Sequence, residues 1–444
     1  LVCGLLLSSL VVAQPAWADA SLETKTLSRD HDPVIVRTGL LAGAPDRETS
    51  RYRLYALQSD RLVPIPFQFD ARGADGELVL SRDGAETDFV FDGDDELVFM
   101  AKDAGDRAAD ASLPASSDAV LEIEVTDRAR GARAWAYLAH FPEDPPARSP
   151  VRYATFDSAR QEARALFYEV TYSHDRSNFL QSVRVSPAAG GTGETLIERL
   201  RMRIRPTFSL LVTTWDLALT EESFSVEPDG VRNGAVRAIR RVRQSLDLGG
   251  VFPEIPNGQV VTYYYASSFQ TPSRFSIPWL ALKALSDFQF ESLGEFAGES
   301  RGMRYWDAAN PEGVPFAQGE RPAAADSDHD WWVVSGAAGT YLHALVLPEE
   351  WRAWGVKRAV VFRDETTGAA DAGGGSGAGY RLLSVANLRR PGAYELGSAF
   401  VVMPRPYTPG DEAEALAGLR EPLEAEVRPV PSDRAVVRRA SSAP

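Results

Sequence analysis

The sequence predicts an all-β protein with minor α content: an N-terminal β-sandwich followed by a larger, supersandwich-like β-domain. Three observations predict it. Apolar runs of four to nine residues recur along the first 140 residues. Several alternate apolar and polar side chains, as a half-buried strand does. Asp-Gly pairs punctuate them at Asp75-Gly76, Asp83-Gly84 and Asp92-Gly93, where the chain is expected to turn.

Residues 1–18, LVCGLLLSSLVVAQPAWA, carry no charged side chain. The run is too short for a bilayer core of roughly 30 Å. It ends in Ala16-Trp17-Ala18, the small-x-small pattern of signal-peptidase cleavage, here before Asp19. The expectation is a secretory signal and a periplasmic or extracellular protein. A basic n-region is absent, so the chain is expected to begin inside that signal. Cys3, the single cysteine, lies within it. Disulfides, thiolate metal sites and a cysteine nucleophile are thereby excluded from the mature chain.

Residues 19–140 form the predicted N-terminal sandwich. Its strand candidates are PVIVRTGLL, RYRLYAL, LVPIPFQF, ELVL, ELVFMA, AVLEIEV and RAWAYLAHF. Pro64 and Pro66 fall on one side of an extended strand and lack N–H donors, which marks an edge or a strand start. Residues 141–150, FPEDPPARSP, hold four prolines and read as a stiff linker.

Residues 151–408 form the predicted larger sandwich. Its candidates include LFYEVTYS, the long run TLIERLRMRIRPTFSLLVTTWDLAL, QVVTYYYASSF, DWWVVSG, TYLHALVLP and SAFVVMP. ERLRMRIRP alternates Arg with Leu, Met and Ile, giving one cationic and one apolar face. AVRAIRRVRQSL admits a strand or a helix. Helices are expected over 278–287 and 349–354, and 368–379 is a glycine-rich loop. Residues 409–444 read as one short helix followed by a disordered tail.

The formal net charge is −15, unsuited to nucleic acid or to anionic lipid head groups. No segment beyond the signal is long and apolar enough to be transmembrane. Lysine occurs only at Lys25, Lys102, Lys283 and Lys357, so arginine carries nearly all positive charge. Arginine forks suit carboxylates.

Three clusters could carry chemistry. Asp92, Asp94 and Glu96 place hard oxygen ligands at alternate positions, as Ca²⁺ requires, although the run departs from an EF-hand. An acidic turn without metal is the alternative. Tyr172, His174, Asp175 and Arg176 gather a base, a carboxylate and a guanidinium at a strand end, the set that proton abstraction needs. In DSDHDWW, His329 with its flanking aspartates could hold a cation, and Trp331 and Trp332 could stack on a sugar ring. Strand alternation directs at least one of the two tryptophans into the core. His343, flanked by apolar residues in TYLHALVLP, reads as a core histidine. The P-loop, GxGxxG, HExxH and CxxCH patterns are absent, which removes support for nucleotide enzyme, zinc protease and c-type cytochrome.

VPIPFQFD, an Asp-Gly loop and DGDDELVFMAKDAG together resemble the leading module of secreted β-sandwich proteins related to exo-rhamnogalacturonan lyases. VRNGAVRAIRRV is similar to a strand of their larger, galactose-mutarotase-like supersandwich. The resemblance covers residues 61–105 best and the remainder as architecture. It implies an extracytoplasmic polysaccharide-binding or polysaccharide-processing protein, with a lyase acting on acidic glycans as one form. In a lyase, His174 or Tyr172 would remove the proton α to a uronate carboxylate. An Arg or Ca²⁺ would neutralise that carboxylate. No motif around a histidine or tyrosine matches the family, so none of its catalytic residues carries over. The alternative is a non-catalytic cell-envelope or surface β-sandwich protein that binds glycan or protein.

Overall fold

The computed structural model describes residues 21–85, 87–109, 113–114, 116–175, 179–210, 212–246, 255–276, 283–297, 302–315, 329–363, 377–383 and 393–431. They form antiparallel sheets with few helices, in agreement with the predicted class. Among them no helix is long and apolar enough to cross a membrane.

The first sandwich stacks two sheets. One has the order Pro33–Arg37, Glu96–Met100, Gln68–Asp70. The other runs Glu424–Pro429, Ala119–Asp127, Ala132–His140, Tyr52–Gln58, Arg61–Pro64. Alternate residues of each strand face inward, so Val34, Val36, Leu54, Phe69, Leu97, Phe99, Leu121 and Ile123 share one core. Glu424–Pro429 is an edge strand where the helix was expected to end and the disordered tail to begin; 432–444 lie outside the described residues. Its Ala425 and Val427 pack onto the core, while Glu424, Glu426 and Arg428 alternate outward. The helix before it spans Asp411–Arg420.

The second sandwich faces a ten-stranded sheet with a nine-stranded one. The long strand Thr195–Leu210 pairs with Leu285–Phe296 along most of its length. Three local expectations change. Residues from Leu285 onward are strand rather than helix, because their apolar positions alternate and Thr195–Leu210 supplies the ladder; 278–282 lie outside the described residues. The TTWD segment turns back as Thr213–Asp216 and pairs with the end of the strand it follows, so the run is a hairpin. AVRAIRRVRQSL resolves as the strand Ala238–Leu246.

Residues 141–150 are held against the first sandwich. Arg51 donates to the Pro142 carbonyl and Arg53 to the Pro146 carbonyl. The segment bends at 142–144, where Asp144 has a φ of 44°, and two guanidinium groups fix its path.

Candidate functional site

The sequence segments that carry the resemblance meet in space. Gln68 and Asp70 come from VPIPFQFD, Glu96 from DGDDELVF, and Arg237 from VRNGAVRA. Arg237 is fully buried and lies between the two sandwiches. Its Nε donates to Asp70 Oδ2 at 2.9 Å, its Nη2 to Glu96 Oε2 at 2.6 Å, and its Nη1 to the Tyr265 hydroxyl at 3.0 Å. Arg72 donates to the other oxygen of Glu96 at 2.8 Å. Arg232 Nε lies 2.9 Å from Asp70 Oδ1 as an ion pair without hydrogen-bond alignment, while its Nη2 donates to the Phe69 carbonyl at 2.6 Å.

The backbone is tied in as well. Gln68 Oε1 accepts the N–H groups of Val236 and Arg237 at 2.9 and 2.8 Å, and its amide donates to Asp70. Gly234 is required here: a Cβ would stand 2.0 Å from Gln68 Oε1. Desolvation alone would push the Glu96 carboxyl up, but Arg237 and Arg72 outweigh it and hold it below the usual carboxylate range. With every carboxylate oxygen engaged, this junction is a structural clamp between the sandwiches. It has no open face for a substrate.

The same contacts overturn the calcium expectation. Glu96 is turned inward onto Arg72 and Arg237, with Arg37 at 3.3 Å. Asp92 Oδ1 instead accepts the Asp94 N–H at 2.9 Å, closing a turn. Asp95 accepts the N–H groups of Arg72 and Asp92 at 2.7 and 2.8 Å. Asp92 and Asp94 are exposed while Glu96 is buried, so the three do not converge. Among the described residues no group of three His, Cys, Asp or Glu side chains is arranged to hold a metal.

The proposed proton-abstraction set is dispersed. Tyr172 is buried, and its hydroxyl is bonded to that of Tyr264 at 2.8 Å. Burial raises its pKa more than the Arg240 guanidinium, 4.5 Å from its ring centre, lowers it, so it is a poor base. His174 and Asp175 are exposed, and Arg176 lies outside the described residues.

The tryptophan pair is used for packing. Trp332 is 2% exposed and packs against Phe296, Tyr305 and Tyr341 between the large sheets. Trp331 faces the other way, against the cluster that includes Leu342 and Leu416 of the C-terminal helix. Trp332 has no face open to a sugar, and Trp331 is half-buried. His329 is half-buried; Asp326 and Asp328 lie outside the described residues. Asp330 is held by Arg420 at 2.9 Å and Arg358 at 3.3 Å.

Two other features belong to Thr195–Leu210. Its inward residues Leu200, Met202 and Ile204 line a cavity between the two large sheets. Its outward residues Arg203 and Arg205 line a shallow hollow of about 150 Å³ on the outer face, with Gln289, Glu291 and Arg381. In register, Arg203 stands opposite Glu291, Arg205 opposite Gln289, and Glu291 opposite Arg381. Arg381 takes Glu291 at 2.6 Å. Among the described residues, Arg203 and Arg205 form no side-chain hydrogen bond or ion pair. The alternation of ERLRMRIRP signalled both faces; it did not signal that the sheets stand apart.

Fold and site define a two-sandwich antiparallel β-protein with a cationic outer hollow. No family model matches the chain, and no curated protein matches it. Solved structures similar to it include two from Enterococcus faecalis. An alpha-mannosidase from Enterococcus faecalis V583 aligns at 10% identity with a TM-score of 0.46, over 92% of this chain. A protein of glycosyl hydrolase family 38 from Enterococcus faecalis aligns at 9% identity with a TM-score of 0.44, also over 92%. The chain spans 45% and 46% of their respective lengths. At these values they carry no substrate and no residue over to this chain.

Proposed function

We propose that this protein is an extracytoplasmic binder of acidic polysaccharide, gripping uronate carboxylates in the hollow formed by Arg203, Arg205, Gln289 and Arg381. The observation that carries this reading is the pair of guanidinium groups at alternate positions of one strand, neither neutralised by a carboxylate among the described residues. A guanidinium fork matches a carboxylate in two parallel hydrogen bonds. Residues alternate along a strand with a repeat of about 6.6 Å on one face, so two guanidiniums set two anchor points on an extended polymer. Gln289 and Arg381 add donors on the neighbouring strands. The N-terminal signal pattern supports the location, and the resemblance at VPIPFQFD and DGDDELVF supports the ligand class.

The reading is binding rather than cleavage. A lyase needs a base beside the gripped carboxylate, and the arginines are flanked by Gln289 and Glu291, the latter already held by Arg381.

Titration of the full chain with polygalacturonate, alginate and neutral dextran tests it. Binding of the acidic polymers alone is expected, weakened at least tenfold in Arg203→Ala/Arg205→Ala. Equal binding of dextran, or an unaffected double variant, overturns it. Absorbance of unsaturated uronates in the same mixtures is expected to stay flat; its rise would replace binding by lyase activity.

A further inference from the structure

We propose that the space between the two large sheets is a second binding site, built for one long apolar chain ending in an uncharged hydrogen-bonding group, as in a long-chain alcohol or a protonated fatty acid. This is independent of the glycan reading, because the two sites lie on opposite faces of one sheet.

The cavity measures about 210 Å³. Packed sheets ordinarily close onto each other with few voids larger than a water molecule. Here the inner faces stay apart. Leu200, Met202 and Ile204 line one wall, and Val260, Phe269 and Phe275 line the other. The lining follows Thr195–Leu210 from Leu200 to Phe208, about 26 Å at ~3.3 Å per residue. The space is therefore long enough to take an extended apolar chain. No Asp, Glu, Lys or Arg lines it among the described residues. A charged head group would find no partner inside.

Among the described lining residues, His343 carries a fully buried polar atom left without a partner. His343 is 3% exposed, lines the cavity, and its Nε2 has no hydrogen-bond partner. Its ring is clamped, stacked on Phe400 at 4.2 Å and set against Tyr380 at 5.5 Å and Trp332 at 5.2 Å. Burial pushes its pKa down to about 3, so the imidazole is neutral and can either donate to or accept from a hydroxyl. Buried polar atoms of this kind are rarely left unsatisfied, and a ligand hydroxyl would satisfy this one. The Tyr380 hydroxyl, bonded to Ser398 at 3.1 Å, adds a polar neighbour in the same lining.

The experiment uses the full chain freed of bound lipid and the uncharged fluorescent polyene diphenylhexatriene as probe, displaced by hexadecanol and by hexadecane. Saturable uptake is expected, with hexadecanol displacing the probe at least tenfold better than hexadecane. Ser273, half-buried in the lining, is replaced by Trp to fill the space. Ser273→Trp is expected to weaken uptake at least tenfold, with circular dichroism and the melting curve showing retained fold. His343→Phe keeps the ring stack and is expected to abolish the preference for the alcohol while probe uptake continues. Absence of saturable uptake, uptake indifferent to a folded Ser273→Trp, or an alcohol preference that survives His343→Phe would each overturn the proposal. Arg203→Ala/Arg205→Ala is expected to leave uptake unchanged, which separates the two sites.

Discussion

Arg237 and Glu96, 141 residues apart in sequence, are joined by a hydrogen bond of 2.6 Å inside the junction between the two sandwiches. The bond matters for what it leaves behind when broken. Asp70 is also buried and also held by Arg237. Removing this guanidinium takes one buried cationic partner from each carboxylate, leaving Glu96 to Arg72 and Asp70 to Arg232. Losing one partner of a buried pair costs about 3–5 kcal/mol, more than the net gain of having made it. Arg237→Met is therefore expected to lower unfolding stability in urea by about that amount. The triple change Arg237→Met/Asp70→Leu/Glu96→Met is expected to recover little of it, because buried Arg232 then loses Asp70 and Arg72 loses Glu96. A triple variant restored to the parent's stability would show that the clamp acts through shape and not through charge.

The pH dependence follows from three groups, His343, His31 and Glu96. His343 titrates near 6.5 when unfolded and near 3 in the folded chain. As pH falls through 6.5 the unfolded chain takes up a proton that the folded chain refuses, so stability declines across that window. His31, also pushed down by burial, acts in the same direction. Glu96 is held below its ordinary 4.5 against the upward push of burial by Arg237 and Arg72, so its contribution is complete above 4.5 and is lost as pH falls below that. Between pH 6.5 and 4.5 the histidines act before Glu96 does. His343→Phe is expected to flatten the decline of unfolding free energy there by up to about 1.4 kcal/mol per pH unit. Denaturant curves at pH 7, 6 and 5 for both proteins measure it; parallel declines would refute the buried neutral histidine.

The class of fold was legible because strand alternation and Asp-Gly turns are local signals. The alternation in ERLRMRIRP is enough to give that strand two faces, and the period of WWVV is enough to send one tryptophan inward. What was not legible was partnership over distance. Asp92, Asp94 and Glu96 read as ligands because their spacing is visible in the chain, whereas the arginines that claim Glu96 come from elsewhere: Arg72 lies 24 residues away and Arg237 lies 141 away. Tyr172 and His174 are near neighbours in sequence, yet one is buried and the other exposed at the strand end. The cavity was hidden for a different reason: apolar alternation predicts a covered face, and a filled core and an open lumen cover it equally well.

The segment after Arg420 carries the last expectation, since its charges and prolines disguised a strand. Glu424–Pro429 pairs along Ala119–Asp127 and buries Ala425 and Val427 on the first core. Arg29 donates to the Glu421 carbonyl at 3.0 Å, while its Nη1 bonds Asp127 at 3.1 Å, so one buried guanidinium pins the returning chain to the sheet. Truncation after Arg420 would remove the ladder partner of Ala119–Asp127 and bare its N–H and C=O groups as a new sheet edge. It would also uncover Leu121 and Ile123 on the face that Val427 helps to close. Burial of two small apolar side chains and one ladder is worth a few kcal/mol, on the order of 25 cal/mol per Å² plus about 1 kcal/mol per lost hydrogen bond. The truncated chain is expected to melt earlier and to associate through the bared strand, read by thermal scanning and size-exclusion chromatography. Replacing Val427 alone with Asp is expected to lower the melting temperature while leaving the backbone ladder to guard the edge, so that variant should stay monodisperse. An unchanged melting temperature in both would show that the strand does not seal the first sandwich.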